Sequence, residues 1–263
     1  MKRKNTPKKY DIIYSIGHDC SCSLYMIKAK LRACSGPFDW LTNADCKSRF
    51  ELMLNDFEDF LKKDDLVLMP KPTLFPVSEN NDYYKNIKNG LYFWHDFPAD
   101  KTFEEAYPEI KQKYDRRIKR FYQNIGTKKR VLLVWFSKWH STPDDVVVNL
   151  CGSFCKKMNK DIDFLFIEHK EGAYISKHYA LSNNITRYYL HAKTFETNGI
   201  PTTLGNEELV LPIFLKYKLI TPWYTDRWFL LKFFIRFICL FIPIKKWRKN
   251  FRNFTFPQSK VAE

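Results

Sequence analysis

The chain has 263 residues, 45% hydrophobic and 28% charged, with 23 Phe, 15 Tyr and 7 Trp against 8 Gly, which excludes collagenous, low-complexity and largely disordered classes and suffices for a buried core. Seven cysteines at irregular spacing exclude a disulfide-stapled secreted scaffold and read as a reducing compartment. The net charge of +15 sits at the ends: the first ten residues carry five Lys/Arg and no acid, and Asp226 to Asn253 carries eight against one acid, leaving a nearly neutral body.

Tyr10 to Ile16, closed by Gly17, predicts a short buried strand. A helix follows, with Asp19 or Ser21 as its cap and Leu24, Ile27 and Leu31 at helical spacing. After SGPFDWLTN, the residues Phe50, Met53, Leu54, Phe57 and Leu61 predict a second amphipathic helix ending near Lys62. Four prolines between Pro70 and Pro98 predict an irregular excursion with one short strand, Leu91 to Trp94. Tyr107, Ile110, Tyr114, Ile118, Phe121 and Ile125 form the clearest helical stripe. Val131 to Phe136 and Phe164 to Ile167 are continuous apolar runs, the mark of strands covered on both faces, with a crossover helix between them at Val146 to Met158; Ile185 to Leu190 reads as another strand. The alternation predicts an α/β fold: a three-layer sandwich with a mostly parallel central sheet, plus a C-terminal amphipathic helix. The domain reading is a basic tail over 1–9, a single α/β domain over 10–225 and a basic amphipathic tail over 226–263.

Cys20 stands after a strand and a glycine at the start of a helix, where the helix dipole and free amides favour a thiolate. Gly17 lets the backbone turn tightly enough to expose the sulfur, and the amides near Ser21 are candidates for holding an oxyanion. Against this stands the plainer reading of Cys20 and Cys22 as small buried residues at a strand-helix junction. A thiol nucleophile needs a base, and His95 in YFWHDF, at the end of the short strand, is placed to reach across the mouth of the sheet. Arg32, Arg116 and Arg117 are candidates for binding a substrate phosphate or carboxylate, although helix arginines are usually a solvated face. Cys151 and Cys155 at i, i+4 make only a weak metal reading, and no metal is expected. Neither a dinucleotide fingerprint, a P-loop nor a GxSxG elbow occurs.

Taken together, SIGHDCSCSLYMIKAKLRACSGPFDWL, then YFWHDF, then KYDRRIKRF and VLLVWF resemble a bacterial family of unknown function described as putative papain-like cysteine peptidases, over roughly Tyr10 to Lys170. The resemblance implies Cys20 as nucleophile, His95 as base and an orienting carboxylate for which Asp96 and Asp39 are the candidates. Papain-like folds put the nucleophile on a helix and the histidine on an antiparallel sheet. The strand-Gly-x-x-Cys-helix opening also looks like that of capsule-biosynthesis acyltransferases, whose cysteine sits at a coenzyme A site. FIPIKKWRKNFRN resembles the basic tails of glycosyltransferases that build lipopolysaccharide or capsule.

The resulting expectation is a cysteine hydrolase using Cys20 and His95 for acyl chemistry in cell-envelope polysaccharide metabolism, without a cofactor. One alternative is a coenzyme A-dependent acyltransferase; another is a non-catalytic membrane-bound scaffold. The substrate is expected to be a glycan, glycolipid or peptide. The N-terminus lacks the apolar stretch of a signal peptide, and cations would line a folded face in a nucleic-acid platform, so no nucleic acid is expected. Trp228 to Ile244 is too charged to span a bilayer. Lys232 and Arg236 at i, i+4, followed by Lys245, Lys246, Trp247 and Arg248, predict peripheral attachment to an anionic membrane, the cytoplasmic face of the plasma membrane.

Overall fold

The two apolar runs become central strands of a five-stranded sheet in the computed structural model, which describes residues 6–71, 80–173, 177–196 and 201–220, with the side chains of 177–179 outside that description. The tail expectations for Lys232, Arg236, Lys245, Lys246, Trp247 and Arg248 lie outside the described residues. In chain order the elements are β1 (Lys8–Tyr10), β2 (Ile12–Ser15), α1 (Cys20–Lys28), β3 (Leu41–Thr42), α2 (Cys46–Leu54), β4 (Leu66–Met69), β5 (Asn81–Asn86) and β6 (Tyr92–Pro98), then α3 (Phe103–Thr127), β7 (Val131–Ser137), α4 (Asp144–Met158), β8 (Asp163–His169), β9 (Lys177–Ser182), β10 (Ile185–Leu190), α5 (Glu207–Phe214) and β11 (Tyr217–Leu219).

The five-stranded sheet has the order β2-β7-β8-β10-β9, parallel except for β9. Side chains alternate across a strand, and β7 feeds both faces. Val131, Leu133 and Trp135 join a core with Phe50 of α2, Tyr114 and Phe121 of α3 and Phe154 of α4. Leu132, Val134 and Phe136 join another with Cys22, Tyr25 and Met26 of α1 and Val210, Ile213 and Phe214 of α5. The expected mixed α/β fold with a mostly parallel sheet is therefore present. Helix α3 carries the predicted stripe and opens with a capping box, Thr102 and Glu105 satisfying each other's backbone amides.

Three expectations are corrected. Among its described residues the excursion from Pro70 to Pro98 holds two strands, β5 and β6, and not one; with β3 and β4 they form an antiparallel sheet in the order β3-β6-β5-β4. A register shift between Asp82 and Tyr84 puts the consecutive Tyr83 and Tyr84 both into buried positions, which breaks the period-2 pattern a strand normally shows. The second helix stops at Leu54. Asp56 and Phe57 take left-handed backbone, with φ of 57° and 61°, so Phe57, Phe60 and Leu61 enter the core from a turn. On α1 the buried face is Cys22, Tyr25 and Met26, whereas Ile27 is 43% exposed.

Gly17 has a packing role that its sequence context did not reveal. A Cβ there would lie 2.4 Å from Cys22 Cβ and 2.9 Å from its Sγ, and 3.2 Å from the Phe136 carbonyl oxygen, so the glycine lets α1 sit against β7. Gly17→Ala is expected to cost about 1–3 kcal/mol through overpacking, read as a lower urea midpoint at unchanged slope. Gly152→Ala on α4, where nothing lies within 4 Å of the new methyl, is the control: it should instead stabilise by up to about 1 kcal/mol through helix propensity.

Candidate active site

In parallel α/β sheets, loops beyond the carboxyl ends of the strands form the natural crevice. Here His18 to Ser21 follow β2 and Lys138 to His140 follow β7. Together with Thr42 and Asn43 after β3, Tyr92, Trp94 and His95 on β6, and Pro201 and Thr203, they line a cleft of about 670 Å³. Cys20, the first residue of α1, and His95, on the antiparallel sheet, thus share one cleft although 75 positions separate them in sequence. Among the described residues no hydrogen bond joins them.

Asp19 is the N-cap of α1. Its Oδ1 accepts the Ser21 amide at 2.8 Å, and its Oδ2 pairs with Lys138 Nζ at 2.8 Å. Lys138, 4% exposed, also donates to Ser21 Oγ at 3.2 Å and to the Thr202 carbonyl at 2.5 Å. An ammonium has three donors, and all three are engaged. The Ser21 amide expected to serve an oxyanion is spent on the cap.

Cys20 is partly exposed and Cys22 fully buried, its Sγ donating to the Val134 carbonyl at 3.5 Å. Burial, reinforced by the adjacent Asp19 carboxylate and opposed by Lys138, pushes the Cys20 thiol up to about 12. The thiolate anticipated from the helix dipole is therefore disfavoured, because burial penalises the charged form and the Asp19 carboxylate adds to that penalty. His95 is exposed at the cleft surface, edge-on to Trp40 at 6.5 Å between ring centroids. Partial burial, opposed by the Asp96 carboxylate, holds its imidazole below the ordinary 6.5, which favours the unprotonated form able to accept a proton. His18 is buried with no partner for its Nδ1; burial, with Arg49 adding repulsion, lowers it to about 3. Its ring meets His140 edge-on at 5.3 Å.

Neither candidate carboxylate orients His95. Asp96 follows His95 on β6 and so points to the other face of the strand, where it accepts from Lys113 Nζ at 2.6 Å and Tyr114 OH at 2.8 Å. Asp39 accepts from Arg32 Nε at 2.8 Å and the Gly36 amide at 2.9 Å, bracing the PFDW turn. Arg32 is consumed by that pairing and lies over the Trp40 ring. Arg116 donates to Gln112 on the exposed side of α3, and Arg117 lies over Tyr114. None of the three arginines lines the cleft.

Three residues close to the site were not anticipated. Lys138 and His140 follow the apolar run VLLVWFS, and the carboxyl end of a doubly covered parallel strand is a signal that could have found them. Arg49 is fully buried; its Nη2 donates to the carbonyls of His18 at 2.8 Å, Asn43 at 2.8 Å and Leu41 at 3.3 Å, tying the loop before α1 to the segment around β3. Beneath the loop after β7, the fully buried Glu168 accepts from Trp135 Nε1 at 2.8 Å, Thr142 Oγ1 at 3.0 Å and Arg187, which anchors the segment that follows Lys138 and His140. Among the described residues no three His, Cys, Asp or Glu are grouped to hold a metal, and no helix is long and apolar enough to cross a membrane.

A partly exposed thiol at a helix start thus shares one cleft of an α/β domain with the imidazoles of His18, His95 and His140. Residues 11–172 match the family described as "Putative papain-like cysteine peptidase (DUF1796)", and the chain belongs to that family. A stretch of 135 residues is 30% identical to an uncharacterized protein of Acanthamoeba polyphaga mimivirus, covering 47% of this chain and 60% of that protein. The chain thus matches less than two thirds of its relative's length. That relative is viral, and no comparison bears out the bacterial source or the glycosyltransferase-like tail. No solved structure matches the chain.

Proposed function

We propose that the protein is a cysteine-nucleophile hydrolase of the peptidase-like class its family describes, with Cys20 as nucleophile and His95 as base. The observation that carries this is the shared cleft: a helix start and a distant antiparallel strand deliver the thiol and the imidazole to one wall-to-wall space. Because the thiol rests protonated, deprotonation belongs to the reaction itself: His95 takes the proton as Sγ attacks the acyl carbon, then returns it to the leaving group. Water resolves the acyl-enzyme in a hydrolase.

For the acyl donor we propose an uncharged, sugar-borne ester, in keeping with a role in envelope polysaccharide metabolism. Tyr92, Trp94 and Trp139 line the cleft and offer flat apolar faces, Asn43, Thr42 and Thr203 offer neutral hydrogen-bonding groups, and Lys138, the one Lys/Arg among the described residues lining the cleft, has no donor left for a phosphate. This weighs against the coenzyme A-dependent acyltransferase. Peripheral placement on the cytoplasmic face of the plasma membrane remains part of the proposal through the sequence of 226–263. A second reading, a non-catalytic scaffold, is favoured by one observation, the raised Cys20 thiol.

Intact-mass analysis separates the readings. The full chain is incubated at pH 8 with an O-acetylated neutral sugar, acetyl-coenzyme A or a peptide ester. A single acyl adduct from the sugar ester, absent in Cys20→Ala and formed at least about 10²-fold more slowly in His95→Ala, is expected. Adducts only from acetyl-coenzyme A or the peptide ester would redirect the donor, and no Cys20 adduct from any of the three supports the scaffold.

A further inference from the structure

β8 and β10 are neighbouring parallel strands; β8 ends in His169 and β10 is followed directly by His191, and both rings are used in the same way. His169 Nδ1 accepts the Ala192 amide at 3.0 Å, and His191 Nδ1 accepts the Gly172 amide at 3.0 Å. The bonds are reciprocal: each imidazole caps the backbone that follows the other strand. The two rings meet at 5.3 Å between centroids. An imidazole nitrogen accepts an N–H only while unprotonated, and in the imidazolium both nitrogens are donors. Protonating either ring therefore sets N–H against N–H. The flanking backbone bonds, Lys170 amide to Leu190 carbonyl at 3.0 Å and His191 amide to Ala173 carbonyl at 2.9 Å, do not titrate.

This pair is linked to the cleft by a run of hydrogen bonds. Beyond His191, Lys193 exchanges both its backbone groups with the Asn206 side chain. The Thr194 carbonyl accepts the Thr202 amide at 2.9 Å. The Thr202 carbonyl accepts Lys138 Nζ, the partner of Asp19 beside Cys20, and Pro201 and Thr203 line the cleft.

We propose that His169 and His191 form a pH-sensitive latch that fixes the cleft rim at Pro201 to Thr203 while both rings are neutral and releases it when they are protonated. The effect on Cys20 rests on the function proposed above; the latch does not. Burial, with His191 adding repulsion and Glu171 opposing, holds the His169 imidazole below its ordinary value. A neutral ring in the folded state makes the latch complete above the ordinary imidazole range and weaker as pH falls through it. The other charged groups on these segments are Lys170, whose Nζ lies over the Tyr189 ring, and Lys193, paired with Glu196. The Lys177 and His178 backbones pair with Tyr189 and Tyr188.

The test is amide exchange at Gly172 and Ala192 in the full chain, corrected for intrinsic rates, from pH 7 to pH 5. Protection of both amides is expected to fall at least about tenfold, which corresponds to about 1.4 kcal/mol. In His169→Asn/His191→Asn the side-chain oxygen stands where Nδ1 stood and does not titrate, so protection should persist at pH 5. The single variant His169→Asn should rescue Ala192 alone, a readout that general loosening would not give. Flat protection in the wild type, or the same fall in the double variant, overturns the latch. Cys20 acylation measured in parallel should lose its extra acid sensitivity in the double variant; an identical pH profile there, with the exchange result intact, overturns the regulatory role alone. Exchange reads the latch whether or not Cys20 reacts at all.

Discussion

Lys138→Met is expected to be the most destabilising single substitution near the cleft, at about 3–5 kcal/mol, because it removes one partner of a buried ion pair and leaves the other uncompensated. Lys138 and Asp19 side chains are 4% and 12% exposed, so solvent cannot replace the lost ammonium. The same change strands the Ser21 hydroxyl and the Thr202 carbonyl. The cost belongs to the orphaned carboxylate, not to the value of the pair: Lys138→Met/Asp19→Asn should recover much of the loss, since Asn still caps α1. Equilibrium urea unfolding of the two singles and the double gives the coupling; additive losses would show that the pair is not coupled. pH offers a second reading. Burial would raise the Asp19 carboxyl, but Lys138 and the Ser21 amide outweigh it and hold it below the usual 3.8. A depressed carboxyl contributes stability above its unfolded value that is lost as pH falls through its folded one. The wild type should therefore lose more stability than the double variant below about pH 4.

Cys20→Ala is expected to lower turnover by at least about 10³-fold while leaving the thermal midpoint unchanged, as removal of a nucleophile does. Cys20 is partly exposed and lies outside both buried core clusters, whereas Cys22 is fully buried against β7. Cys22→Ala should show the inverse: about 1–2 kcal/mol less stable from a small cavity, with acylation intact. The two variants together decide which thiol carries the chemistry, by intact mass and by urea midpoint. If Cys22→Ala is the one that abolishes the adduct, the nucleophile sits in the core and the cleft reading fails.

How much of this was legible depends on the period of each segment. The uninterrupted runs of β7 and β8 and the long stripe of α3 announced themselves, because burial on two faces or on one helical face leaves an unmistakable pattern. The sheet formed by β3 to β6 did not, since a bulge at Asp82 and flanking prolines erase alternation. Helix α1 misled in its facing: with nine residues, its orientation is set by the close approach at Gly17 and not by its own stripe. Cys20 and His95 were nominated from context and quoted motifs, and the topology brings both to one cleft. Asp39, Asp96 and the arginines had the right chemistry for a site, but ion pairing is a property of the folded neighbourhood, and Lys113 and Tyr114 could not be seen beside Asp96 in the sequence.

The position of α5 in the chain has a consequence for synthesis. Leu132, Val134, Phe136, Leu165 and Ile167 present one face of the sheet to α1 and α5, and α5 follows every strand of that sheet. A nascent chain whose five strands have already left the ribosome still carries half of that face bare until Val210, Ile213 and Phe214 emerge. β1 must wait longer still for β11, its parallel partner at Lys8 to Tyr217. This face of the sheet is therefore covered in full only once α5 is made, and the β1–β11 pair only once the last described strand arrives.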